Sequence, residues 1–81
     1  MNIYVGNLSF QMTDDQLSEL FSEFGEVSSA KVVMDKMSGR SKGFAFVEMP
    51  DDAAGEKAIA ALNGKDSLGR ALRVNVSRPR D

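Results

Sequence analysis

Lys42-Gly43-Phe44-Ala45-Phe46-Val47-Glu48-Met49 alternates with a period of two: Lys42, Phe44, Phe46 and Glu48 point one way, and Ala45, Val47 and Met49 the other. A strand read in this way is apolar on both sides, yet a small domain needs only one of its faces for a core. Ala45, Val47 and Met49 supply an aliphatic face on which helices can pack. The opposite assignment would bury Lys42 and Glu48 without partners, at a cost of several kcal/mol. Phe44 and Phe46 are therefore left on the open side, although a one-residue bulge could shift the register.

The same alternation occupies residues 2–5, where Ile3 and Val5 are the natural core residues, Tyr4 is left outside, and Gly6 and Asn7 break the pattern. If this first strand lies beside the third, Tyr4, Phe44 and Phe46 form one exposed aromatic patch, and such patches mark binding sites. Flat rings beside Lys31, Lys42 and Arg73 suit unstacked bases with phosphates alongside.

Between these strands the helical signals are clear. Thr13 can N-cap, Gln16 completes a capping box, Met12 can staple onto Leu17, and Asp14 and Asp15 suit the helix dipole. Leu17, Leu20, Phe21 and Phe24 follow the spacing i, i+3, i+4, i+7, which makes Phe21 and Phe24 core residues, and Gly25 is placed for a left-handed stop. A second strand is expected over residues 30–34, and Ser38-Gly39 marks a loop that carries Lys36 and Arg40.

After the third strand, Pro50 ends the pattern and Asp51 can N-cap a second helix. Ala54, Ala58, Ile59, Ala61 and Leu62 are its inner face and Gly64 its end. Gly55 inside this helix costs about 1 kcal/mol relative to alanine, so either the backbone packs closely there or the helix is weaker. A loop over residues 65–70 leads to a last strand over 71–77, with Leu72, Val74 and Val76 inward and Arg73, Asn75 and Ser77 outward. The order βαββαβ predicts an α+β, ferredoxin-like sandwich, a four-stranded antiparallel sheet with two helices on one face and the other face open.

At 81 residues the chain has material for one core, and 42% hydrophobic with 27% charged residues is the balance of a globular domain. It has no cysteine and no histidine, which removes disulfides, the usual zinc sites and histidine bases. No metal, cofactor or catalytic residue is expected. No apolar run reaches membrane-spanning length and the N-terminus begins directly on a strand, so no membrane span, no signal peptide and a cytoplasmic location are the expectations. The net charge of −2 hides a division. Residues 13–26 carry Asp14, Asp15, Glu19, Glu23 and Glu26 and no base, whereas residues 31–42 carry Lys31, Lys36, Arg40 and Lys42 against Asp35 alone. Arg70, Arg73, Arg78 and Arg80 follow near the end. A basic sheet side and an acidic helical side are predicted.

The octapeptide from Lys42 to Met49 resembles the ribonucleoprotein motif K/R-G-F/Y-G/A-F-V-x-F/Y of the RNA recognition motif family, agreeing at seven of eight positions. Ile3-Tyr4-Val5-Gly6-Asn7-Leu8 resembles the companion hexapeptide of the first strand. The likeness extends through Gly25, Ser38-Gly39-Arg40-Ser41, Leu62-Asn63-Gly64 and Gly69-Arg70-Ala71-Leu72-Arg73-Val74, nearly the whole chain, and is nearest to the small single-motif bacterial RNA-binding proteins. It implies a motif over residues 1–78 with a short tail at 79–81, a monomer, and single-stranded RNA as partner. Tyr4 and Phe46 would stack on bases, Phe44 would pack against sugars, and Lys42 would meet a phosphate. Lys31, Asn75, Ser77 and Arg78 would tune specificity, with Arg40 contributing from its loop. Met49 departs from the aromatic of the motif, but faces the core, where methionine fills space adaptably.

Three alternatives stand beside this. Single-stranded DNA offers the same π-faces. A protein partner could use the acidic helical face. An acylphosphatase-like enzyme shares the element order but needs a cationic loop after the first strand, and Gly6-Asn7-Leu8-Ser9-Phe10-Gln11 has no arginine.

Overall fold

The computed structural model describes residues 1–77. Its elements run β1 (Asn2–Gly6), α1 (Asp14–Ser22), β2 (Ser29–Met34), β3 (Ser41–Glu48), α2 (Asp52–Leu62), β4 (Asp66–Ser67), β5 (Arg70–Ala71) and β6 (Arg73–Val76). Four of the strands form one antiparallel sheet in the order β2-β3-β1-β6. The two ribonucleoprotein-like segments are thus central neighbours, as the ferredoxin-like layout requires. Ile3 and Val5 of β1 and Ala45 and Val47 of β3 are buried, with Met49 just beyond, and they join Leu17 and Phe21 of α1 and Ala54, Ala58 and Leu62 of α2 in a single core. Leu20, Phe24 and Ile59 are only partly buried against it. Among the described residues no helix is long and apolar enough to cross a membrane.

The start of α1 forms as its sequence dictates. Thr13 Oγ1 accepts the Gln16 N–H at 3.1 Å, and Gln16 Oε1 accepts the Thr13 N–H at 3.1 Å, closing the capping box. Met12 and Leu17 are both buried in the core. Asp14 has a further role: the β2–β3 ladder shifts register between Val32 and Met34, and Asp14 Oδ1 accepts the Val32 N–H at 2.8 Å. The ladder irregularity is thus tied to the helix on the β2 side; on the β3 side it takes up two extra residues between Ser41 and Ala45, with Gly43 at φ 86°, and Phe44 still meets Tyr4 and Phe46 on the open face.

Several local expectations are corrected. Gly25 is not a left-handed stop. The helix is capped at Glu23, and Gly25, two residues on with φ 159°, is needed for close approach, because a Cβ there would lie 2.6 Å from the Ala54 Cβ. Gly55 is buried, and a Cβ on it would fall 2.5 Å from Met1 Sδ, so close packing is the reading that holds. Including Gly55 on the buried stripe turns α2 slightly, and Ala61, expected inside, is exposed. Gly64 does end this helix in the left-handed region, with φ 85°.

The expected loop over 65–70 contains a hairpin, β4 with β5, whose tip residues Leu68 and Gly69 have φ 52° and 85°. Positive φ at both central positions is the signature of a type I′ turn. Ala71 is consumed by that hairpin. Leu72 gives its N–H to the Lys65 carbonyl and accepts the Gly64 N–H, so the last strand of the main sheet begins only at Arg73. Val76, expected inward, ends an edge strand and is 51% exposed.

Gly25→Ala should destabilise the domain by about 1 to 3 kcal/mol, since the added methyl meets a Cβ fixed to the backbone of α2 and neither can swing aside. Urea denaturation compared with the unsubstituted chain measures it. An unchanged midpoint would mean that the turn after α1 does not pack against Ala54 of α2.

Candidate nucleic-acid interface

The register places the candidate residues with some precision. Lys31 on β2 lies opposite Phe46 on β3, Phe46 opposite Tyr4 on β1, and Tyr4 opposite Asn75 on β6. Directly opposed residues share a face, so these four form one row across all four strands of the open side. Arg73 pairs with Gly6, and Lys42, Phe44, Phe46 and Glu48 alternate with the buried Ser41, Ala45 and Val47. Ser77 follows β6, its N–H bonded to the Asn2 carbonyl.

Three rings meet at the centre. Their centroids are 6.0 Å apart for Tyr4 and Phe44, 5.9 Å for Tyr4 and Phe46, and 6.0 Å for Phe44 and Phe46, with interplanar angles of 30°, 62° and 85°. Tilted and edge-to-face contacts are what the aromatic quadrupole favours. This packing covers Tyr4 and Phe44 in part, and Phe46, at 42%, is the most exposed of the three. Held against one another, the rings have little orientational freedom left to lose when a ligand arrives.

Gly6 belongs to this arrangement, although the sequence marked it only as a strand breaker. A Cβ on Gly6 would lie 2.7 Å from Tyr4 Oη and 2.9 Å from Tyr4 Cε2, so the hydroxyl end of the tyrosine rests over the glycine. The signal for this is the position of Gly6 two residues beyond an outward-facing tyrosine, on the same face of the strand.

The cations around the rings have no acidic partner among the described residues. Among the described residues the one ion pair joins the N-terminal ammonium to Asp52 at 3.5 Å, so Lys31, Arg40, Lys42 and Arg73 have no carboxylate within pairing distance. Arg40 and Lys42 line an open recess at the end of the β2–β3 hairpin together with Phe10, Met34 and Asp35. Phe10, 67% exposed, is an aromatic that pattern reading passed over, because it sits in a loop with no period to mark it. Arg78 lies outside the described residues. The acids of α1 are on the opposite side of the sheet, except that Glu48 sits on the open face at the far end of β3 from Lys42.

The model of the RNA recognition motif matches residues 3–73, which take in both helices and run from β1 to the first residue of β6. The chain belongs to the RNA recognition motif family. A relative from Nostoc, described as putative RNA-binding protein RbpE, is 49% identical over 81 residues, covering the whole of this chain and 82% of the relative. Among solved RNA recognition motifs and their kin, the crystal structure of RNA-binding protein PG1 superposes with a TM-score of 0.95 at 42% identity and covers 100% of this chain and 98% of that one. The RNA15 motif with bound RNA (GU) superposes with a TM-score of 0.86 at 34% identity, covering 99% of this chain and 85% of that one.

Proposed function

We propose that this RNA recognition motif binds unpaired RNA across its open sheet face, without catalysis. The observation that carries the reading is the row Lys31, Phe46, Tyr4 and Asn75, which sets two rings between a cation and an amide on neighbouring strands. Tyr4 and Phe46 stack on successive bases, Phe44 packs against sugar, and Lys31, Lys42 and Arg73 meet phosphates, with Arg40 at the rim. Asn75, Ser77 and Arg78 read base edges. The names of the relatives, and the bound RNA of the RNA15 neighbour, support RNA as the ligand.

Stacking contributes about 1 to 3 kcal/mol per base, so two or three stacked bases give roughly micromolar affinity once ordering costs are met. Fluorescence anisotropy with a short labelled single strand should show binding in that range and at least tenfold weaker binding when its complement is annealed, because paired bases cannot reach the rings. Equal affinity for duplex would contradict the reading. Matched DNA in the same assay separates RNA from general single-strand binding.

Salt sets a second expectation. Single strands lose about 0.7 in log affinity per phosphate contact for each tenfold rise in salt, so Lys31, Lys42 and Arg73 by themselves contribute about −2 to the slope. A slope near zero would remove the phosphates from the account.

A further inference from the structure

Asn7 immediately follows β1 in the left-handed region, with φ 57°, a conformation that asparagine tolerates better than most side chains. From there its amide spans the gap to the β4–β5 hairpin. Oδ1 accepts from Arg70 Nη2 at 2.8 Å and from Arg70 Nε at 3.3 Å, and Nδ2 donates to the Ala71 carbonyl at 2.7 Å. The guanidinium of Arg70 is thus held in a fixed orientation by a neutral group. A carboxylate in place of Asn7 would hold it more strongly but would cancel its charge. Among the described residues Arg70 forms no ion pair, its side chain is exposed, and only part of its N–H donors go to Asn7.

The location gives this geometry a use. The hydroxyl end of Tyr4 rests over Gly6, Arg73 pairs with Gly6, and Asn7 is the next residue along. Toward the C-terminal end of β1, Gly6 lies opposite Arg73, and Asn7, the next residue, holds the fork of Arg70. Planar, charged forks with free donors match the oxygens of a phosphodiester.

We propose that Arg70, oriented by Asn7, forms with Arg73 a phosphate-binding pair that grips the nucleic-acid backbone where it leaves the aromatic face. The pair rests on the open-face reading above and extends it by a residue whose hydrogen bonds otherwise look like a tie for the hairpin alone. Asn7 is a positioning residue. Arg70 touches the ligand.

Three variants, Arg70→Gln, Arg70→Lys and Asn7→Gly, test this by thermal melting and by single-stranded RNA affinity measured across a salt series, with Phe46→Ala in parallel. Arg70→Gln should weaken binding about fivefold near 0.1 M salt and make the salt slope shallower by about 0.7, the contribution of one phosphate. Arg70→Lys should keep the slope and lose part of the affinity, because the charge remains without the fork. Asn7→Gly permits the left-handed backbone and removes the amide, so it should weaken binding with the slope unchanged. The pair is overturned if Arg70→Gln retains both affinity and slope per folded molecule while Phe46→Ala still weakens binding, including the case in which only melting changes. If Phe46→Ala also leaves binding unchanged, the open-face reading fails first.

Discussion

Phe21→Ala should cost the domain about 3 to 5 kcal/mol of stability, the range for removing a fully buried ring. Phe21 has no exposed surface and is among the largest fully buried side chains, on the face of α1 that meets the sheet. Its loss leaves a cavity lined by residues anchored in separate elements, which limits how far the site can collapse. A domain of this length has a total stability of roughly 4 to 12 kcal/mol, so the variant sits close to unfolding. Urea denaturation reads the change, and affinity for RNA, corrected for the folded fraction, should stay as it was because the ring lies on the covered side of the sheet. A loss below about 1 kcal/mol would mean that the core is not organised around this residue.

Phe46→Ala should do the reverse. The ring is 42% exposed and stands between Lys31 and Tyr4 in the row across the sheet. Its removal deletes one stacking surface, and it leaves Tyr4 and Phe44 without their edge-to-face neighbour. Affinity for single-stranded RNA should fall by about 1 to 3 kcal/mol, or roughly 5-fold to 150-fold, with little change in the melting transition. Unchanged affinity in a folded variant would exclude the ring from the interface.

These two phenylalanines show what was legible in the sequence. Phe21 falls on a helical stripe behind a capping box, and Phe46 alternates with residues that already fill a core, so local period alone separates the buried ring from the exposed one. Period gave the outward facing of Tyr4 and Phe46 but not the pairing of their strands, which stayed conditional until the sheet order β2-β3-β1-β6 placed them side by side. The β4–β5 hairpin was not, because its tip is Leu68-Gly69, and a leucine with φ 52° gives no turn signal of the Asn-Gly kind. The inward assignment of Val76 failed because alternation predicts a face but not whether anything covers the end of an edge strand. Gly25 looked like a helix stop because its requirement, the nearness of Ala54, lies in another element. The tie between Asn7 and Arg70 joins residues 63 positions apart, and it becomes visible only once the hairpin is folded against the end of β1.

The central claim is that the open sheet face is the binding surface, and it is tested most directly by NMR titration of the isotope-labelled domain with short single-stranded RNA. The largest saturable shifts are expected at Tyr4, Phe44 and Phe46, with Lys31 and Asn75 beside them and the amides of α1 and α2 little moved. Saturable shifts confined to α1 and α2, with β1 and β3 unmoved, would contradict it.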